Sequence, residues 1–362
     1  MLSGLPNIAD KNFIIGFFLP VVVALFIAAW TFPDLAILAP LRTAEDKTLG
    51  DVAWLVLAVW TLSVVLLTTN HLQYRFLEGY LPPISWFGCM RAWHHWRFDR
   101  IANRRRSIQQ QWKAAGMRAQ EIPAGQRHEA SRLAVRLLTE FPTTRVATQP
   151  EEILADGIMP TRFGNVIRAF EVYPREIYGA DSIPVWLRLA SVVSKDFATE
   201  IEDARAQVNC FMNICYLALV FCGFSIARIA AGTLWSGIVA EATGMPTAAT
   251  IQASLAAAWR YDSTVALAAL AVSWVSYRWA TSLLVAWGDL VKSAFDCYLP
   301  ALARQLGYAV PPESAARRRF WREFNGQVAY WQPMPTAWPQ DRAPAQPSED
   351  DGDGDAEGVA PP

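Results

Sequence analysis

With 362 residues, 53% of them hydrophobic, a positive mean hydropathy and 16 tryptophans, the chain departs from the composition of an ordinary soluble protein. The formal charge of −1 hides an asymmetry: residues 340–362 hold seven acids against Arg342 alone, so the rest is net basic, though not basic enough to imply nucleic acid. Three of the five cysteines, Cys210, Cys215 and Cys222, fall in one apolar run, which excludes paired-CxxC metal spacing and a secreted disulfide framework.

Phe13 to Phe32 is uncharged and about 20 residues long, enough at about 1.5 Å per residue to cross a hydrocarbon core near 30 Å. This predicts a first transmembrane helix; the run is too long for a signal-peptide h-region and no convincing cleavage site follows. A short polar loop with Asp34, Arg42, Glu45, Asp46, Lys47 and Asp51 leads to a second span, Val52 to Thr69. Nothing breaks its helical pattern before Gly79 and the Pro82-Pro83 pair, so it is expected to run on through Asn70, Tyr74 and Glu78.

Arg75 to Arg118 holds nine Lys or Arg against Glu78 and Asp99, interleaved with Trp86, Phe87, Trp93, Trp96, Phe98 and Trp112. Basic side chains and Trp beside a span suit the anionic cytoplasmic surface, so this is expected to be a juxtamembrane segment with His94 and His95 as interfacial side chains. Arg127 to Phe141 places Leu133, Leu137 and Phe141 on one helical face, and an exposed loop is expected around Thr143 to Gln149.

Within Pro160 to Asp181, Thr161 can cap a helix whose Phe163, Val166, Ile167, Phe170 and Tyr173 share a face. Pro174 is expected to close it, Gly179 to take a left-handed cap, and Asp181 to cap the helix that follows. Val185 to Val193 is apolar but too short to span. Lys195 to Arg205 feeds a third span, Val208 to Gly232, followed by a semi-apolar extracytoplasmic connection, Thr233 to Asp262. The fourth apolar run keeps helical register from Ser263 to Leu306. Those 44 residues make about 66 Å of helix, roughly twice the bilayer, so the second half must project into the cytoplasm. Phe320, Phe324, Val328 and Trp331 form the stripe of a last helix, and from Pro333 a disordered acidic tail is expected.

Residues 70 to 207 hold 19 Lys or Arg to 15 acids, whereas the two opposite loops are poor in basic residues, so both termini and the central block are placed in the cytoplasm. The expected architecture is all-α: a polytopic membrane protein with four transmembrane helices and a cytoplasmic helical domain built partly from extensions of helices 2 and 4. It divides into a transmembrane hairpin (1–70), a cytoplasmic helical region (71–207), a second hairpin (208–288), cytoplasmic helices (289–332) and the tail (333–362). The expected location is a cytoplasmic membrane, with Cys89 and Cys297 as free thiols on its reducing side.

Catalytic signatures are not found. The four histidines lack HExxH or Cys/His spacing, and GxGxxG, the Walker loop and the GxSxG elbow are missing, so no metal, cofactor or enzymatic activity is expected. Two groups of charge stand out. Arg278 lies in the fourth run and is expected to snorkel at the interface beside Trp279, the alternative being an intramembrane functional charge. Arg162, Asn165, Arg168, Glu171, Tyr178, Asp181 and Arg188 form a cluster fit for an anion, a lipid headgroup or a partner, or else for salt bridges that fasten the helices together.

The order PTRFGNVIRAFEVYP, YGADSIPVWLRL and LVAWGDLVKSAFDCYLPAL, with RFLEGY at 75–80, resembles a family of uncharacterised bacterial integral membrane proteins carrying PTRLGN, RAxE, YGxD and WxRL elements and a final DLV…FD helix. The resemblance covers roughly residues 75–330; Phe163 replaces the usual Leu, and Cys297-Tyr298 departs from a more polar pattern. It implies the architecture and no activity. The function expected is that of a membrane-anchored interaction or scaffold protein, with the bilayer and a protein partner or further copies of the chain as partners; the alternative is an oligomeric channel or transporter with an Arg-rich cytoplasmic vestibule.

Overall fold

The computed structural model describes residues 11–35, 38, 49–116, 118, 121–146, 149–243 and 249–334. The loop residues 39–48 and the expected tail beyond 334 lie outside them. The described chain is helical except for one β-hairpin: α1 (Lys11–Thr31), α2 (Leu49–Thr68), α3 (Asn70–Glu78), α4 (Gly88–Ala114), α5 (Ala124–Glu140), β1 (Thr143–Val146), β2 (Gln149–Ala155), α6 (Arg162–Tyr178), α7 (Ser182–Leu189), α8 (Lys195–Thr243), α9 (Ala249–Gln305) and α10 (Ser314–Tyr330). It falls into two compact units, one within Met1–Tyr173 and Lys195–Lys292, the other within Pro174–Ser194 and Ser293–Pro362.

Three helices of the first unit are long and apolar enough to cross a membrane: Lys11–Thr31, Leu49–Thr68 and the Lys195–Gly232 part of α8. The expected fourth, in α9, does not stand out in the same way, because Ser263, Thr264, Ser273, Ser276 and Tyr277 dilute its apolar residues before Arg278. Phe13, Phe17 and Val21 of α1 pack with Val59 and Leu66 of α2 and with Leu217 of α8. Near its start α1 widens into a π-turn, Ile14–Phe18. Asn213 of α8, fully buried, donates its Nδ2 to Gly16 O at 2.7 Å there, supplying a bond to a carbonyl whose partner four residues on, Pro20, has no N–H to give.

At the Thr31 end of α1, the helices α1, α8 and α9 are tied together. Arg228 of α8 bonds Asp34 at 3.1 Å and Asp262 at 3.2 Å with its guanidinium 5.7 Å from the Phe32 ring centroid, and Tyr261 donates to Thr31 O at 2.8 Å. Further along, Cys222, Ala266 and Ala269 pack with Phe221, and Cys215 and Ser273 are bonded at 3.3 Å.

Helix α2 continues into α3 as expected, with an offset at Thr69. Thr68 and Thr69 both turn their hydroxyls back onto Val65 O, which also takes the Thr69 N–H at 3.0 Å. Gly79, at φ 92°, ends α3. A separate core is built by Phe98, Ile101 and Ala102 of α4, Leu137 of α5, Phe141, Ile153 of β2 and Ile158. Here one expectation fails: Thr143 to Gln149 is not simply a loop, because Thr143–Val146 pairs antiparallel with Gln149–Ala155. Strand alternation buries Ile153 and exposes Leu154, a period-2 signal too short to read beside the threonines and Pro150.

In the second unit Val185 and Leu189 of α7 and Phe320, Trp321 and Phe324 of α10 are buried, with Trp186 6.0 Å from Phe295 between ring centroids. Asn325 joins the elements by donating Nδ2 to Gly179 O at 2.8 Å and accepting the Asp181 N–H at 3.0 Å. Three expectations are corrected. Pro174 does not close its helix: α6 runs to Tyr178, where Gly179 at φ 81° lets the Ala180 N–H reach back to Pro174 O. Asp181 stands at the start of α7 without a side-chain capping bond. Trp331 leaves the α10 stripe, since it adopts a left-handed conformation beyond the helix end and is 91% exposed. Between Thr233 and Asp262, α8 continues to Thr243 and α9 already begins at Ala249, so much of that connection is helical; residues 244–248 lie outside the described set.

Candidate functional site

The PTRFGN stretch folds as a clamp. Thr161 stands ahead of α6 and its Oγ1 accepts the Gly164 N–H at 2.9 Å, which is the capping bond expected of it. The same hydroxyl donates to Leu77 O at 2.6 Å, so the cap also fastens the end of α3. Gly164 makes this approach possible: a Cβ there would meet Glu78 O at 2.5 Å. Asn165, fully buried, folds the preceding chain around itself, accepting the Met159 N–H at 2.8 Å and donating to Met159 O at 2.9 Å and Thr161 O at 2.7 Å. The Phe163 N–H is taken by the Tyr277 hydroxyl of α9 at 3.2 Å. Asn165 therefore has a structural task, with both amide hydrogens donated and its oxygen accepting.

The other members of the expected cluster find separate partners. Arg168 and Glu171 are brought together, 3.5 Å apart one turn along α6. Arg162 turns instead to Glu140, Nη2 to Oε1 at 3.2 Å. In the second unit the Tyr178 hydroxyl donates to Asp296 at 2.7 Å, Asp181 offers its backbone N–H to Asn325, and Arg188 bonds Pro184 O within its own helix at 3.0 Å. Arg278 is exposed, with its guanidinium 5.9 Å from the Trp274 ring centroid.

A denser site forms around Glu140 at the end of α5. Its carboxylate receives Arg97 of α4 at 2.6 Å, Arg162 of α6 at 3.2 Å and Arg136 of its own helix at 3.3 Å. The Glu140 side chain is 12% exposed, and those of Arg97 and Arg162 are 17% and 23%. Arg97 also lies against the Trp93 and Phe141 rings. One carboxylate thus faces three guanidinium groups. Burial, together with the positive charges of Arg136, Arg162 and Arg278, lowers the Arg97 pKa against the opposing pull of Glu140. His94, one turn before Phe98 on α4, is buried rather than interfacial as expected, because its position shares the inward face with Phe98, Ile101 and Ala102. Desolvation, with Arg97 and Arg162 nearby, holds its pKa down to about 4, so the ring is neutral at pH 7. His94 Nδ1 and Arg162 Nε are buried without a hydrogen-bond partner.

A second perturbed site joins Glu78, at the end of α3, to Glu171. Burial and the charge of Glu171 push the Glu78 carboxyl up to about 7, and burial also raises Glu171 against the pull of Arg168.

Arg97, Glu140 and His94 were missed by sequence reasoning. Only the Arg136–Glu140 spacing of four carried a legible signal. Among the described residues no group of three or more His, Cys, Asp or Glu is placed to hold a metal ion. No protein-family model, no curated protein and no solved structure matches the chain.

Proposed function

We propose that the chain is a four-span protein of a bacterial cytoplasmic membrane, both termini inside, that works without chemistry of its own as a membrane-held docking platform. The apolar centre of the fourth span is the stretch of α9 from Ser263 to Tyr277. Leu267, Leu270, Val272, Trp274 and Val275 there are exposed, while Ala266, Ala269, Ser273 and Ser276 are buried, the pattern of a helix with small residues against its neighbours and large ones toward lipid. Asp262 and Tyr261 stand level with the end of α1 through Arg228 and Thr31, and Arg278 follows at the opposite interface. Reporter fusions test the topology: position 150 is expected inside and position 245 outside, and the reverse pattern rejects it.

The observation that supports a docking role is the contrast between occupied charges and unoccupied apolar surface. The polar cluster is engaged in internal bonds, whereas Trp86 and Phe87 just before α4, Trp93 and Trp96 in its first turns, and Ile183 and Leu187 one turn apart on α7, are exposed. The α4 group, interleaved with Arg91 and Arg100, suits the membrane surface, and the α7 pair suits a protein partner or a second copy. A photo-crosslinking residue at Leu187 in intact cells is expected to give one defined adduct. Recovery of uncrosslinked monomer alone counts against the proposal.

A second reading, an oligomeric channel or transporter, draws on the arginines gathered at Glu140 with Arg278 nearby as an Arg-rich vestibule. Anion flux through reconstituted liposomes, reduced by Arg278→Ala, favours it over the docking role; absence of flux removes it.

A further inference from the structure

We infer that the guanidinium groups of Arg97, Arg136 and Arg162 around Glu140 form a binding site for a phosphate group, supplied by an anionic phospholipid of the adjoining leaflet. Three guanidinium groups share a single carboxylate at 2.6 to 3.3 Å, in a place where two of the arginines and the carboxylate are largely shielded from water. Like charges held this close repel one another more strongly as water is excluded, and one carboxylate leaves the set with excess positive charge. Each guanidinium has five donors in a planar fork that matches a phosphate, and Arg162 Nε is a buried donor with no partner.

The amides of the α6 N-terminus do not supply the site. The Phe163 N–H goes to Tyr277, the Gly164 N–H to the Thr161 hydroxyl and the Asn165 N–H to Thr161 O. Recognition therefore rests on the arginines.

The lipid source follows from what surrounds them. The Tyr277 hydroxyl ties the residue after Arg162 to the end of the fourth span, and Arg278 lies close enough to disfavour charge on Arg97. Trp93 and Trp96, exposed on α4, carry Arg97 and Arg100 against their rings at 5.7 and 5.4 Å. Exposed Trp beside paired Arg is the composition of a headgroup layer, where anionic lipids are concentrated on the cytoplasmic side. This assignment of source rests on the topology proposed above; the affinity for phosphate does not. A reporter at position 150 appearing outside would therefore remove the cytoplasmic leaflet as the source and leave the phosphate measurements below to be judged separately.

The full chain is reconstituted in nanodiscs of phosphatidylcholine with one-fifth phosphatidylglycerol, extracted in detergent, and the retained phosphatidylglycerol per protein is counted by mass spectrometry. The wild type is expected to retain it. Arg162→Gln is expected to retain about tenfold less, the loss of one charge-assisted contact. Arg104→Gln, which removes an exposed arginine paired with Glu129, is expected to match the wild type. Glu140→Gln, which removes the competing charge, is expected to retain at least as much. Equal retention by Arg162→Gln, equal loss in Arg104→Gln, or a loss in Glu140→Gln as complete as in Arg162→Gln overturns the site.

The wild type supplies a readout that needs no variant. Phosphatidylglycerol is expected to raise the His94 imidazole pKa, followed by NMR, relative to phosphatidylcholine alone, and no movement overturns the site. Inorganic phosphate separates the sources: if it stabilises the wild type and not Arg162→Gln while phosphatidylglycerol is not retained, the lipid assignment falls and the site belongs to soluble phosphate.

Discussion

Arg228 of α8 holds Asp262 of α9 with its Nε 3.2 Å and 3.3 Å from the two carboxylate oxygens, and the Asp262 side chain is only 6% exposed. The second carboxylate on Arg228, Asp34, is 71% exposed, so the two partners differ in what their loss removes. Asp262→Ala removes the buried carboxylate of the pair together with its charge-assisted bond to Arg228 and is expected to cost about 2 kcal/mol. Asp34→Ala takes away a solvated pair worth under about 1 kcal/mol. Thermal unfolding in detergent reads the difference as a clear loss of Tm for the first variant and little change for the second; equal effects would mean that the shielded pair carries no special weight.

Gly164→Ala places a methyl against the backbone oxygen of Glu78, at 2.5 Å before any adjustment. Because the obstacle is main chain already engaged by Thr161, it cannot swing aside as a side chain would. The expected cost is about 2 kcal/mol or more. Gly223→Ala on α8, where the added carbon meets nothing within 4 Å, serves as the comparison and is expected to leave Tm unchanged or slightly raised.

Glu78 and His94 make opposite contributions to the pH dependence of stability. Glu78, raised from 4.5 to about 7, binds a proton more firmly folded than unfolded, so its contribution is full below pH 4.5 and is lost as pH rises toward 7. His94, lowered from 6.5 to about 4, is protonated more readily unfolded, so its contribution is present above pH 6.5 and is lost as pH falls toward 4. The two therefore offset each other in the wild type between pH 5 and 6.5. Glu78→Gln is expected to make Tm fall more steeply on acidification, and to gain on the order of 1 kcal/mol at pH 8; His94→Gln is expected to flatten or reverse the acid-side loss. Melting curves from pH 5 to 8 decide, and parallel profiles for all three proteins would refute the assignment.

Asn325→Asp keeps an acceptor for the Asp181 N–H but loses the donor to Gly179 O and sets a negative oxygen against that carbonyl. The residue is buried, so the expected cost is about 2 kcal/mol. Since the two bonds tie α10 to the turn before α7, hydrogen exchange across residues 179–189 is expected to accelerate by about tenfold. Unchanged exchange there would show that Asn325 does not hold that turn.

Legibility in the sequence followed distance along the chain. The capping role of Thr161, the left-handed Gly179 and the continuation of the second span to Gly79 are governed by neighbours within a few positions, and composition and periodicity expose them. The partners of Arg228 lie 194 and 34 positions away, out of reach of any local pattern. Glu140 passed unnoticed for the same reason, since Arg97 and Arg162 reach it from 43 and 22 positions away. In the expected cluster at 162–188, spacing along the chain did not say which partner each member would take. Helical rotation gave its members different faces, so Arg162 turned to α5 while Asn165 turned back on its own loop.

The widened turn at Ile14–Phe18 amounts to one residue more than a regular α-helix would need there. Removing a single residue within it would tighten the turn and leave Val21, Ala24 and Ala28 facing as they do now. The same deletion a turn later, at Val22, would rotate the two halves of the helix by about 100° against each other and carry Phe13 and Phe17 off the surface they share with Leu66. Helix α1 thus holds a spot where length change can be absorbed, at the cost of the Asn213 bond and of crowding the Pro20 ring against the carbonyl four residues back, flanked by stretches where it cannot.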